Sequence, residues 1–235
     1  MYFKFKNYNI IEFYDQSRFK AGGCVTCPDG KIVNKDKTGC DTITFSESEE
    51  RMYPPTRTLT SASHTILGES YGYGLYETWE STRYNTSSAG FSAFNTSDTE
   101  GYHGALYQYN HGAYTGNNFI VSDYKGDWVK IGLPKPIKLT RYRIYERPSN
   151  WTRAPSYFRI YGSNNNKEWT LLHDKNFFEY YSDAHTEGNV VSNEYYKYFA
   201  LVVNKLIGYD SLESKRDAYA LNFGAWYIYG KEQSE

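Results

Sequence analysis

Hydrophobic and polar residues alternate most clearly near the middle of the chain. Val129, Ile131 and Leu133 fall on one side of this alternation, and the residues between them fall on the other. A period of two is typical of a β-strand with one buried face. Pro134 and Pro136 come next. Because proline has no backbone N–H to donate, we expect the strand to end there.

Further short strands are predicted around polar connections. Residues 137–144 and 157–161 are rich in Ile, Leu, Tyr and Phe, and the polar stretch ERPSNWTRAP lies between them. Residues 195–203 and 221–229 give two more strands. Short connections favour antiparallel pairing, and no segment keeps a 3.6-residue period with capping residues. The pattern therefore predicts an all-β fold, an antiparallel β-sandwich with little helix.

Changes in composition along the chain predict three parts. Residues 1–40 are rich in aromatic residues and contain the cysteines, so we expect a small N-terminal arm. Residues 41–57 are rich in Ser, Glu and Thr and include two adjacent prolines, which is typical of a linker. Residues 58–232 hold the predicted sandwich.

The three cysteines, Cys24, Cys27 and Cys40, indicate that the arm is cross-linked. They cannot all pair with one another, so one stays free, pairs with another chain or has lost its partner. A zinc site is the alternative interpretation. It would need a fourth ligand, and no histidine lies nearby.

The overall composition argues against two classes of partner. The formal net charge is -1, whereas a nucleic-acid-binding surface needs clustered lysine and arginine. No run of about eighteen apolar residues is present, so we expect no membrane-spanning segment. Aromatic residues make up 19% of the chain and 26 residues are tyrosine. Tyrosine suits recognition surfaces because it covers area with little loss of rotamer entropy.

Sequence motifs that carry catalysis are missing. The histidines are scattered, and there is no H-E-x-x-H, no G-x-S-x-G and no phosphate-binding glycine loop. Acidic pairs lie in polar stretches and not in the hydrophobic surroundings that favour a catalytic acid. We therefore expect that the chain is not an enzyme.

The order of the strands resembles the discoidin, or coagulation-factor C-type, domain family. The resemblance rests on W-V-K-I-x-L-P, then R-Y-R-I-Y, then Y-F-R-I-Y-G-S-N-N-N-K-E-W. Residues 93–103 also resemble the A-F-D-G-x-x-x-T-x-W region of the family, and residues 226–230 its closing strand. The resemblance spans about Tyr53 to Lys231. It implies a galactose-binding-like jelly roll.

The polar connection after residue 145 contains the groups that recognise sugars. Aromatic rings stack on the C–H face of a sugar, and planar donors and acceptors bind its hydroxyls. In several sugar-binding members of the family, the corresponding loop contacts the ligand. The candidate ligand-binding residues are Arg147, Asn150, Trp151 and Arg153, with Tyr181 and His185 on the same rim. In the alternative interpretation Trp151 caps the core and Arg147 pairs with Glu146 or a carbonyl.

The resemblance also implies a structural calcium ion. Oxygen ligands suit Ca²⁺, and the family position corresponds to Asn95, Asp98 and Thr99. This chain departs from the family at Ala225, where the family has a glutamate. The missing carboxylate weakens the expected site.

We expect a non-catalytic surface module that binds a glycan or glycoprotein. The Tyr- and Asn-rich sequence is similar to copies of this domain in large DNA viruses, so the expected location is an extracellular surface or a virion. There it would be a minor capsid or fibre component, fixed by its N-terminal arm to other structural chains. The alternative is a purely structural packing protein with no small ligand. An accessory module of a glycan-processing enzyme would need a catalytic domain that this chain lacks.

N-glycosylation sequons begin at Asn85, Asn95 and Asn150. They matter only if the chain follows a secretory route. A glycan on Asn150 would block the candidate binding site.

Overall fold

The structure, a computed structural model, describes residues 27, 31–33, 39–42, 48–55, 58–95, 101–210 and 217–233. The chain divides into two compact units, Met1–Phe45 and Ser46–Glu235. Among the described residues, no helix has the length and apolar character needed to cross a membrane.

The first unit contains an antiparallel pair of short strands, β1 (Lys31–Val33) and β2 (Cys40–Thr42). A disulfide joins Cys27 to Cys40. These two thiols are therefore not free to bind zinc. Cys24 lies outside the described residues, so the state of the remaining cysteine stays a prediction.

The second unit is built almost entirely of antiparallel strands. Their bounds are β3 Arg51–Tyr53, β4 Ser63–Ile66, β5 Gly74–Glu80, β6 Tyr102–His103, β7 Tyr109–Asn110, β8 Ala113–Tyr114, β9 Asp127–Tyr145, β10 Pro155–Ser163, β11 Thr170–Lys175, β12 His185–Asn189, β13 Tyr196–Leu206, β14 Asn222–Phe223 and β15 Ala225–Glu232. The helices of the described part are short 3-10 turns at Thr86–Ser88, Gly90–Phe94, Pro148–Arg153 and Ile207–Tyr209. The prediction of an all-β fold with little helix is confirmed.

Strand β9 belongs to both layers of the sandwich. Its first half pairs with β5 and β13, and its second half pairs with β15 and β12. One layer has the order β4-β5-β9-β13-β10-β11, and the other has the order β12-β9-β15-β3. The prediction of a strand end at the two prolines is wrong, because β9 continues through them for 19 residues. The prolines lie where the strand changes partners: pairing with β5 ends at Gly132 and pairing with β15 begins at Ile137.

The core fills the space between the two layers. Val129, Ile131 and Leu133, the predicted inward residues of β9, are all at most 1% exposed. They share one hydrophobic cluster with Tyr142 and Trp226 of the other layer. Alternation along β9 therefore identifies the buried face correctly.

The outer face of the first layer carries a separate group of aromatic residues. The ammonium of Lys130 lies 5.3, 4.9 and 5.6 Å from the ring centroids of Trp79, Trp128 and Trp169. It also donates a hydrogen bond to Oδ1 of Asn166 at 2.9 Å. Burial lowers the pKa of Lys130.

Part of the stretch that we expected to be a linker is a strand. Arg51–Tyr53 forms β3 and pairs with β15 at the edge of the second layer. Tyr53 is buried, and its hydroxyl donates to the Glu232 carboxylate at 2.9 Å. Residues 51–53 therefore belong to the sandwich.

Candidate functional site

A cleft of about 500 Å³ opens beside the paired strands β6 and β14. The turn after β5, the start of β6, the connection after β9 and the segment around β14 all contribute to its walls. Its lining residues are Tyr84, Asn85, Ser87, Ser88, Gly101, His103, Leu106, Arg147, Asn150, Arg153, Tyr219 and Asn222. Most of these residues are polar or aromatic, which suits a hydroxyl-rich ligand.

His103 and Asn222 face each other across the two-stranded ladder at the cleft wall. They are direct Cα partners in the antiparallel pairing of β6 with β14. Gly101 precedes this ladder, and a Cβ at that position would collide with the backbone carbonyl of Phe223. The close approach of the two backbones therefore requires glycine.

The Asn222 side chain is fully buried at 0% exposure, yet its amide is unpaired. Neither Oδ1 nor Nδ2 has a hydrogen-bond partner among the described residues. Buried polar groups in folded proteins are nearly always hydrogen-bonded. Because Asn222 lines the cleft, its amide is a candidate group for ligand binding.

His103 is held in one orientation by its neighbours. Its Nδ1 lies 2.6 Å from the carbonyl oxygen of Gly104, and its ring lies 4.9 Å from the ring of Tyr84. Burial lowers the pKa of His103, and the charges of Arg153 and Arg147 lower it further. A carbonyl can only accept, so Nδ1 carries the proton and Nε2 of the neutral ring is an acceptor.

Arg153 is fixed against Tyr219. Its Nε donates to the carbonyl of Asp217 at 2.8 Å and its Nη2 donates to the Tyr219 hydroxyl at 2.6 Å. The guanidinium carbon also lies 4.2 Å from the centroid of the Tyr219 ring. The Tyr219 ring in turn stacks on Tyr107 at 5.5 Å, and Tyr107 is 77% exposed.

Arg147 also lines the cleft. Its guanidinium forms no hydrogen bond or ion pair with any residue that the structure describes. The predicted alternative, a pair with Glu146 or a carbonyl, is therefore not formed by the described residues. Arg147 precedes the turn Pro148–Arg153, so the connection after β9 carries it to the cleft.

The structure brings three of the predicted ligand-binding residues together and separates the others from them. Arg147, Asn150 and Arg153 line the cleft. The other three, Trp151, Tyr181 and His185, are not among its lining residues.

These three residues contact neighbours that do not line the cleft. The Trp151 ring lies 6.4 Å from Tyr180. The Tyr181 hydroxyl donates to the carbonyl of Pro155 at 2.6 Å, and the His185 ring lies 5.2 Å from Tyr145. Their part in ligand binding stays a prediction.

Of the predicted calcium ligands Asn95, Asp98 and Thr99, the structure describes only Asn95. Asn95 accepts a hydrogen bond from the Thr58 hydroxyl at 3.0 Å, and the buried Ala225 offers no oxygen in its side chain. No group of three or more His, Cys, Asp or Glu side chains suited to a metal occurs in the described part of the chain. Asp98 and Thr99 lie outside that part, so the calcium site stays a prediction.

Sequence reasoning missed His103, Asn222, Tyr84 and Tyr219 as site residues. One signal was available for Asn222, a single polar residue inside the apolar run ALNFGAW. A polar residue in a buried run needs a partner, and the partner can be a ligand. Nothing in the local sequence marks the two tyrosines among 26 in the chain.

No family model matches the chain, and no curated protein matches it. Solved structures do match. CBM32-3 from a family 31 glycoside hydrolase of Clostridium perfringens superimposes with a TM-score of 0.50 and 13% identity, covering 65% of this chain and 88% of that one. The family 32 CBM from C. perfringens NanJ in complex with galactose gives a TM-score of 0.46 and 13% identity, with coverages of 66% and 93%. Chitosan-binding module 1 from a chitosanase/glucanase of Paenibacillus sp. IK-5 gives 0.45 and 14%, with coverages of 65% and 93%.

The likeness to CBM32-3 concerns the fold, because the sequence identity is only 13%. It agrees with the two antiparallel layers and the shared strand β9 described above. The second unit of this chain therefore has the galactose-binding-like β-sandwich fold, as the resemblance implied.

Proposed function

We propose that this protein is a non-catalytic module that binds a glycan in the cleft. The observation that carries the proposal is the unpaired amide of Asn222, which is buried in the cleft wall. A buried polar group without a partner costs about 1–3 kcal/mol. A sugar hydroxyl can both donate and accept, so a bound sugar would satisfy the carbonyl and the NH₂ of this amide.

Other groups of the cleft suit the same ligand. Nε2 of His103 is an acceptor for a hydroxyl, and the Arg147 guanidinium is a donor. Tyr84 is 56% exposed and lines the cleft, so its ring offers a flat surface for the C–H face of a sugar. CBM32-3, whose fold this chain shares, is a carbohydrate-binding module by its name.

A glycan array with the full chain, followed by calorimetry on the best sugar, tests the proposal. We expect Tyr84→Ala to weaken binding about tenfold or more, because it removes a stacking ring. Trp151→Ala is the matched control, since it removes an aromatic ring that does not line the cleft. The absence of any bound glycan would refute the proposal. Loss of binding only in Trp151→Ala would move the site to the Trp151 side of the turn.

We also propose that the module acts outside the cell or on a virion, where its N-terminal arm joins other structural chains. The disulfide between Cys27 and Cys40 supports an oxidising compartment. Antibody detection in cell fractions, culture medium and purified particles tests the location. If no sugar binds and neighbouring chains of a particle bury the cleft, the alternative role as a packing protein is correct.

A further inference from the structure

The described walls of the cleft carry positive charge without a balancing carboxylate. Arg147 and Arg153 both line the cleft, and none of its lining residues is an aspartate or a glutamate. Of the five other arginines in the described part of the sandwich, Arg83, Arg141, Arg143 and Arg159 each form an ion pair with an acid, and Arg51 lies over the ring of Tyr71. The two cleft arginines therefore differ from the four ion-paired arginines in having no acidic partner among the described residues.

The two guanidinium groups differ in how firmly their neighbours hold them. Arg153 is held in place by the Asp217 carbonyl and the Tyr219 hydroxyl and ring, so its remaining N–H groups have a fixed direction. No described residue accepts a hydrogen bond from the guanidinium of Arg147, so all five of its N–H donors can bind a ligand. A guanidinium presents five N–H donors in a planar fork that matches a carboxylate or a sulfate.

A neutral sugar would use this charge poorly. A ligand that enters the cleft removes water from both arginines, and a hydroxyl replaces that hydration only in part. A charged oxygen makes shorter and stronger hydrogen bonds with a guanidinium than a hydroxyl does. An anionic group on the sugar would therefore add affinity in the cleft.

We infer that the ligand is an acidic sugar, whose anionic group binds Arg147 and Arg153 while its hydroxyls bind His103 and Asn222. The inference rests on the proposed function, because it names the class of glycan that the same cleft takes. A uronic acid or sialic acid carboxylate and a sulfate ester share the required chemistry. The experiment below separates these sources.

Calorimetry of the full chain with matched sugar pairs tests the inference. The pairs are galactose with galacturonic acid, glucose with glucuronic acid, and galactose with galactose 6-sulfate; sialic acid is measured beside them. We expect the acidic member of at least one pair to bind about tenfold tighter than its neutral partner. A preference for the uronic acids indicates a carboxylate ligand, and a preference for the sulfated sugar indicates a sulfate ester. Added salt should weaken the acidic member more than the neutral one.

Arg147→Gln tests the residue itself. Its guanidinium has no described partner, so the variant should fold, and its melting temperature checks this. We expect the preference for the acidic member to fall toward one, because the acidic sugar loses a charge-assisted hydrogen bond and the neutral sugar loses a weaker one. The control is Arg141→Gln, which removes an arginine paired with Glu50 outside the cleft and should keep the preference.

The outcomes separate the inference from the proposed function. Equal binding of the neutral and acidic members, or an unchanged preference in Arg147→Gln, overturns the inference and leaves glycan binding in place. Failure of every sugar, neutral and acidic, to bind overturns both.

Discussion

Arg153 contacts Tyr219 in two ways. Its guanidinium carbon lies 4.2 Å from the centroid of the Tyr219 ring, and its Nη2 donates a hydrogen bond to the Tyr219 hydroxyl at 2.6 Å. The same tyrosine therefore positions the arginine in two ways. Because Arg153 lines the cleft, Tyr219 should control ligand affinity through the direction of the guanidinium.

Tyr219→Phe should weaken ligand binding by a factor of about 2 to 10, since it removes one hydrogen bond and keeps the ring. Tyr219→Ala should weaken it more. Calorimetry with the sugar found for the wild-type protein measures both. Tyr229→Phe and Tyr229→Ala are matched controls, because Tyr229 lies 3.7 Å from Arg141 in a similar pair outside the cleft. Equal effects at positions 219 and 229 would contradict the role given to Tyr219.

Asn222→Ala should abolish ligand binding with little loss of stability. Alanine removes the unpaired amide and its cost of about 1–3 kcal/mol, which offsets the packing lost with the side chain. Calorimetry measures binding, and urea unfolding measures the free energy of unfolding. A variant that is less stable than the wild type but still binds sugar would show that Asn222 has a structural role instead.

His103 should make the protein less stable in acid. The folded state holds the pKa of His103 below its ordinary value of 6.5, mainly through burial. As the pH falls, the imidazole of His103 is therefore protonated first in the unfolded chain. The contribution of His103 to stability is complete above pH 6.5 and is lost as the pH drops through the lowered pKa of the folded state.

His103→Asn is the matched variant for this test, because Asn can still donate to the Gly104 carbonyl. Urea unfolding at neutral pH and at several lower values should show a larger loss of stability in the wild type than in the variant. Acidification also affects His173, whose pKa burial lowers as well, but that contribution is common to both proteins. Parallel curves for the two proteins would contradict the prediction.

Asp127 should have the opposite pH dependence. Its carboxylate is fully buried and accepts from the hydroxyls of Ser81 at 2.8 Å and Thr82 at 3.1 Å. Burial raises its pKa above the ordinary value of 3.8, although these hydrogen bonds lower it in part. The contribution of Asp127 to stability is thus complete below 3.8 and is lost as the pH rises through the raised pKa.

Asp127→Asn has no proton to lose in this range. The difference in the free energy of unfolding between wild type and variant should therefore move in favour of the variant as the pH rises from strongly acidic values. Urea unfolding over that range measures the difference. A constant difference would mean that Asp127 has an ordinary pKa in the folded state.

The fold was predictable from sequence where the alternation of hydrophobic and polar residues came from the burial of one strand face. The alternation in residues 128–133 reports burial of one strand face, and the structure buries the predicted residues. The prolines were misinterpreted because a missing N–H matters only where a neighbouring strand would accept it. Pairing changes from one layer to the other at that point, so the chain can remain extended through Pro134 and Pro136.

The site was predictable only in the segment where its residues are adjacent in sequence. Arg147, Asn150 and Arg153 belong to one connection, and the cleft contains all of them. Trp151 belongs to the same turn but does not line the cleft, and local sequence does not show which side of an irregular turn a residue occupies. His103 and Asn222 are distant in sequence and meet only through the pairing of β6 with β14.

Strand β9 pairs with strands of both layers and so connects the two layers covalently. Neither layer can separate without disrupting the other, so unfolding of the second unit should be one cooperative transition. The connection that bears Arg147 starts directly at the end of this strand. A destabilising substitution far from the cleft, in either layer, should therefore lower the affinity for the ligand if it disorders β9.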